Sequence, residues 1–142
     1  MSKIDIKNIL VVEDNEDHYE IIEFHLEMLK QDIQIKHCKD GQEAIELSNS
    51  SGSAVPDLIL LDMNLPKYSG IEVLQKIKDN QSWSHVPIVM FTTSGSETDI
   101  RNAFENGVNS YIQKPIEPEG MKKVLKNILD YWEENESIRN GD

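Results

Sequence analysis

Residues 57–70 read D-L-I-L-L-D-M-N-L-P-K-Y-S-G. Leu58, Ile59, Leu60 and Leu61 form a continuous apolar run, too short for a helix and bounded by polar and turn residues. A parallel strand buried on both faces reads this way. The run ends in a carboxylate, Asp62, and breaks at Pro66, where Lys67, Ser69 and Gly70 supply turn chemistry. In an open α/β sheet, a carboxylate at the C-terminal end of a central strand stands where such sheets place their ligands. Taken alone, Asp62 reads equally well as a solvated strand end.

Working outward, residues 9–12 form a second apolar run that also ends in acid, Glu13-Asp14-Asn15-Glu16-Asp17. Asp14 or Asn15 can cap the helix that follows, and Glu16 and Asp17 suit the positive end of its dipole. Ile22, Leu26 and Leu29 recur there at helical spacing, flanked by Ile21, Phe24 and Met28. Ile33 and Ile35 alternate with polar neighbours, as an edge strand ending near Cys38 would. Asp40-Gly41 turns into a helix with Ala44, Ile45 and Leu47, and the serine-rich 48–53 is a loop. Val73, Leu74 and Ile77 mark a third helix; Pro87 opens a strand that ends in Thr92, Thr93 and Ser94. Ile100, Ala103 and Phe104 mark a short fourth helix stopped at Gly107, and 110–113 a fifth strand running into Lys114-Pro115. Met121, Val124, Leu125, Ile128 and Trp132 stripe the last helix.

Five strands alternating with five helices imply an α/β fold, a doubly wound parallel sheet covered on both faces. Right-handed crossovers and two neighbouring acid-tipped strands favour the flavodoxin-like order 2-1-3-4-5.

The 142 residues fit one domain, with a core over about 7–132 and a polar tail, 133–142, expected to fray. A net charge of −12 argues against non-specific binding to nucleic acid or an anionic membrane. No apolar run approaches membrane-spanning length, and M-S-K-I-D-I-K lacks a signal-peptide core. The single Cys38 excludes an internal disulfide and suits a reducing cytoplasm. Cys38, His18, His25, His37 and His85 have no zinc-ligand spacing and read as packing or surface residues. With ten residues after Trp132, no output module is expected.

The sheet order gathers Glu13, Asp14, Asp62, Thr92 and Lys114 at one edge. Clustered carboxylates repel unless a proton or cation neutralises them. Magnesium takes oxygen ligands and commonly combines one or two carboxylates with phosphate oxygens. Asp14 and Asp62 can supply carboxylates and Asn64 a backbone carbonyl. A neutralised aspartate is a known nucleophile type, forming an aspartyl phosphate. Taken singly, Thr92 also fits a β-branched strand end, Lys114 a loop lysine and Tyr111 ordinary packing.

The motifs V-V-E-D-N, L-I-L-L-D-M-N-L-P-x-x-S-G, P-I-V-M-F-T-T and Y-I-Q-K-P resemble the receiver domain of two-component response regulators, from about Lys7 to Trp132. The resemblance implies that Asp62 is the phosphoacceptor and that Glu13, Asp14, Asp62 and Asn64 surround Mg²⁺ or Mn²⁺. It makes Thr92, with Thr93 beside it, the switch hydroxyl, Lys114 the phosphate-pairing lysine and Tyr111 the aromatic that follows the threonine. It implies a cis Lys114–Pro115 bond. Two departures stand out: Ser69-Gly70 where Asp-Gly is commoner, and Glu13 where Asp is frequent. The chain most resembles the small stand-alone regulators that work with bacterial phytochromes.

The implied function is a cytoplasmic phosphorylation switch, not an enzyme beyond its own phosphorylation and dephosphorylation. Its partners are a sensor histidine kinase or histidine phosphotransfer protein. Output is expected through the fourth helix, fifth strand and last helix, with Arg101, Gln113, Lys122 and Lys126 as a basic cluster and Tyr131-Trp132 as an aromatic end. That face is expected to receive a partner or form a homodimer. Alternatives are a phosphorelay intermediate or phosphate sink, an aspartate-nucleophile phosphatase, or a flavin carrier. The phosphatases resemble Asp-x-Asp after the first strand, not Asp62-Met63-Asn64 after the third. E-D-N-E-D after the first strand would repel a flavin phosphate.

Overall fold

The computed structural model describes residues 5–50, 52, 54–115 and 117–134. The apolar runs form the strands β1 (Asn8–Val12), β2 (Gln34–Cys38), β3 (Leu58–Leu61), β4 (Ile88–Thr92) and β5 (Ser110–Gln113). The helices α1 (Glu16–Leu29), α2 (Gly41–Asn49), α3 (Gly70–Asp79), α4 (Glu97–Glu105) and α5 (Pro118–Glu134) alternate with them. All pairings are parallel and the order is β2-β1-β3-β4-β5, as the sequence leads one to expect.

Strand alternation divides the core in two. Leu10, Val12, Ile59, Leu61, Ile88 and Met90 face Ala44 of α2, Val73, Leu74 and Ile77 of α3, and Ala103 of α4. Ile9, Val11, Leu58, Leu60, Val89 and Phe91 face Ile22 and Leu26 of α1, and Met121, Leu125, Ile128, Leu129 and Trp132 of α5. Strands β1, β3 and β4 are therefore buried on both faces, which is why they read as unbroken apolar runs. The outer strands β2 and β5 alternate or stay half-buried.

Several elements differ from the sequence reading. Phe104 is 51% exposed, and Ala103 alone is buried on α4, so this helix meets the sheet along a narrow stripe. On α1, Phe24 and Met28 are exposed while His25 is buried beside Ile22 and Leu26. Trp83, missed in the sequence, is 2% exposed and closes the α2–α3 side of the core.

Glu133 does not fray. Its carboxylate accepts from the Ile6 N–H at 3.0 Å and from Lys30 Nζ at 2.5 Å, and Lys30 also donates to Asp5 at 2.5 Å. This ion pair across 103 positions of chain could not be read from the local acidic run. The remainder of the expected tail, 135–142, lies outside the described residues. Among the described residues, no helix is long and apolar enough to cross a membrane.

Candidate functional site

Strand register builds the site. Val12 pairs with Leu61, so Glu13 and Asp62 leave neighbouring strands at the same level. The ladder continues past the strand ends: Asp62 N–H donates to Val12 O (3.1 Å), Glu13 N–H to Cys38 O (3.0 Å) and Lys114 N–H to Thr92 O (2.7 Å). Carboxylate oxygens of Glu13, Asp14 and Asp62 lie within 4.8 Å of one another. Glu13, Asp62, Thr92 and Lys114 are buried, whereas Asp14 and Asn64 are exposed.

The Lys114 ammonium donates to Glu13 Oε1 and, at 3.2 Å, to Asp62 Oδ2. The other Asp62 oxygen accepts the Asn64 N–H at 3.3 Å. The Glu13 carboxyl is raised to about 7 on balance: burial is the largest cause, the Lys114 hydrogen bond pulls it down and the Asp62 charge pushes it up. The buried carboxylates of Glu13 and Asp62, with the exposed Asp14 beside them, set three carboxylates against one ammonium and leave residual negative charge. A hard divalent cation relieves that charge, and an all-oxygen donor set suits one. Glu13, Asp14 and Asp62 therefore fit a divalent cation, which would supply charge neutralisation beside Asp62.

The turn after β3 is tightly built. Gly70 donates its N–H to Met63 O at 2.8 Å, and a Cβ there would overlap the Asp62 carbonyl. Ser69 starts α3 with a capping box: its Oγ takes the Glu72 N–H (3.2 Å), and Glu72 Oε1 takes the Ser69 N–H (2.9 Å). Serine at this turn thus serves as the α3 cap, a role aspartate fills equally well.

Thr92 is fully buried, and its Oγ1 accepts the Ser94 N–H at 3.4 Å. The Tyr111 hydroxyl donates to Ser94 O at 2.8 Å, so Ser94 links the two expected switch residues. Thr93 is exposed and lines a cavity of about 200 Å³ with His18, Lys114 and Glu117. The Lys114–Pro115 bond is trans: no peptide bond among the described residues is cis. Trans is intrinsically favoured by about 0.5–1 kcal/mol at X–Pro, and in it Lys114 already reaches both Thr92 O and the acid cluster.

Asn15, read in the sequence only as a helix cap, and His18 and His37, read as packing or surface residues, also reach the site. The Asn15 N–H donates to Glu13 Oε2 at 3.1 Å while its side chain caps α1 at the His18 N–H. His18 Nδ1 lies 3.2 Å from Lys114 Nζ, and burial, followed by the Lys114 charge, pushes its pKa down. His37 Nε2 donates to the Glu13 carbonyl at 2.7 Å, and its ring stacks on Tyr19 at 3.6 Å. His18 stands three residues after the cap, a spacing that could have flagged it. His37 becomes visible only once β2 is placed beside β1.

The family model described as the response regulator receiver domain matches residues 9–126. The chain belongs to this family. The receiver is 39% identical over 127 residues to the probable methanogenesis regulatory protein FilR2 of Methanothrix harundinacea, covering 87% of this chain and 82% of that one. It is 34% identical over 136 residues to the response regulator Rcp1 of Synechocystis sp., covering 93% and 92% of the two chains. The Mn²⁺-bound crystal structure of Rcp1 superposes with a TM-score of 0.82, at 34% identity over 91% of this receiver and 96% of that chain. The phosphorylated cyanobacterial phytochrome response regulator RcpA gives 0.84, at 34% identity over 89% and 94%. Receivers are signalling components of two-component systems, typically non-enzymatic, and phosphorylation-dependent signalling is typical of them. This membership leaves the phosphatase and flavin-carrier readings without support.

Proposed function

We propose that this receiver, as one unit over about 7–132, accepts a phosphoryl group on Asp62 from a histidine kinase or phosphotransfer protein, with Mg²⁺ bound by Asp14, Asp62 and the Asn64 carbonyl and, through water, by Glu13. One observation carries the reading: Asp62 is buried at the end of a central strand, salt-bridged to Lys114 and within 4.8 Å of two further carboxylates. An Asp62 oxygen attacks phosphorus, the P–N bond of the phosphohistidine breaks, and its electron pair leaves on the imidazole nitrogen. Lys114 then pairs with the phosphoryl oxygens, and the charge of the new group draws in the Thr92 hydroxyl. Thr93 borders the opening through which the donor approaches. The Mn²⁺-bound state of Rcp1 supports a divalent cation here, and a cytoplasmic location accords with a kinase partner.

Output follows the Thr92–Ser94–Tyr111 linkage to α4, β5 and α5. Phe104 and Tyr131 are 51% and 52% exposed on these elements, and Tyr131 meets Trp132 edge-on at 4.8 Å. The expected basic cluster is weaker than its sequence suggests, since Lys126 pairs with Asp130 at 2.8 Å. A partner or a second copy of the receiver would dock on the aromatic part of this face.

The test is incubation with phosphoramidate and Mg²⁺. The wild type should gain one acid-stable, base-labile phosphoryl group and Asp62→Asn none. Full incorporation by Asp62→Asn would sink the assignment.

A further inference from the structure

An ammonium has three N–H donors and no lone pair. Lys114 directs its donors at Glu13 Oε1, Asp62 Oδ2 and His18 Nδ1. Because Lys114 can only donate, His18 must present an unprotonated Nδ1 and carry its proton on Nε2. His18 is the third residue of α1, and its N–H is fixed by the Asn15 cap at 3.0 Å. Its half-buried ring borders the cavity shared with Thr93, Lys114 and Glu117.

The third acceptor differs from the other two in being neutral. Once an Asp62 oxygen is bonded to phosphorus as an acyl phosphate, the carboxylate charge passes to the phosphoryl oxygens, and the ammonium shifts toward them. A phosphoryl oxygen adds an attraction between full charges that a neutral imidazole lacks. A neutral imidazole therefore steadies the ammonium without outbidding the phosphoryl group for its charge. We propose that His18 is a positioning residue for phosphoryl transfer, holding the Lys114 ammonium through Nδ1 while its Asp62 contact is exchanged for the phosphoryl group. The inference rests on Asp62 as phosphoacceptor.

An imidazolium could not play this part, having no acceptor at Nδ1 and placing a second cation 3.2 Å from the first. Burial and the Lys114 charge from the β5 end oppose its protonation, whereas Asp62 from the β3 end, Asp17 from α1 and Asp14 from the β1–α1 turn favour it. Glu117, on the segment entering α5, completes the charged surroundings.

The test compares wild type, His18→Asn and His18→Phe, with phosphoramidate and saturating Mg²⁺, over a pH series. Asparagine keeps an acceptor near the Nδ1 place but does not titrate; phenylalanine keeps the ring without an acceptor. Near neutral pH, His18→Phe should take up phosphate about tenfold more slowly, the loss of one charge-assisted hydrogen bond, with His18→Asn close to wild type. Below pH 6.5, the ordinary His18 value, the wild type should fall away from His18→Asn. Nitrogen NMR of the unphosphorylated wild type should show Nδ1 unprotonated and Nε2 protonated. Equal rates with superimposable pH profiles, or a proton on Nδ1, would overturn the inference. If His18→Phe fails to fold, the wild-type and His18→Asn profiles decide. A wild type that takes up no phosphate at any pH overturns the Asp62 reading itself, which separates the two failures.

Discussion

Glu13 should make the metal-free protein less stable as pH rises, contrary to the usual behaviour of carboxylates. Its carboxyl titrates near 7 when folded, against an ordinary 4.5, chiefly because it is buried. Between these values the folded state holds more protons than the unfolded chain, so stability falls with increasing pH. At about 1.4 kcal/mol per pH unit, the full penalty above pH 7 is roughly 3 kcal/mol. His18 acts in the opposite sense: its folded pKa lies below 6.5, so its contribution is lost as pH falls through that range. Urea unfolding with a chelator, from about pH 5 to 8, measures the balance. Trp83 and Trp132, 2% and 4% exposed, report unfolding by fluorescence. Glu13→Gln should abolish the fall and leave the opposite His18 trend. Saturating Mg²⁺ should flatten the wild-type curve by favouring ionised Glu13 in the folded state. A Glu13→Gln variant whose pH dependence matches that of the metal-free wild type would refute the reasoning.

Two further substitutions probe the same edge of the sheet. Asp14→Asn should raise metal-free stability modestly, by up to about 1 kcal/mol because Asp14 is exposed, and should remove the rise in Tm on adding Mg²⁺; a wild-type metal response would argue against Asp14 as a ligand. Ser69→Ala breaks the α3 capping box and should cost about 1 kcal/mol in urea unfolding, with Ser69→Asp recovering most of it; no loss on Ser69→Ala would show that the cap contributes nothing.

Much of this architecture was legible because it follows from burial. The apolar runs at 9–12 and 58–61 occupy central strands, and placing the two acid-tipped strands side by side favoured the order that the sheet has. Glu13, Asp14, Asp62 and Lys114 were legible for the same reason, as each stands at or just past a strand end. Local pattern failed where a long-range partner decides the outcome. Glu133 looked like the start of a tail until Lys30 and the Ile6 N–H were placed against it. Phe104 fits a helical stripe, but α4 meets the sheet mainly at Ala103. His37 carries no spacing signature, and His18 only its place three residues after the cap; each gains meaning from a residue just past a strand end elsewhere in the chain, Glu13 or Lys114. The Lys114–Pro115 isomer was a family expectation, with nothing in the residues to decide it.

The most direct measurement locates the phosphoryl group on the chain. The protein is treated with phosphoramidate and Mg²⁺, reduced with borohydride to convert an acyl phosphate to the alcohol, and its peptides sequenced by mass spectrometry. The expected product is homoserine at position 62, dependent on Mg²⁺, with Asp14, Asp57 and Glu13 unaltered. Reduction at another carboxylate while Asp62 stays intact would contradict the assignment of this site.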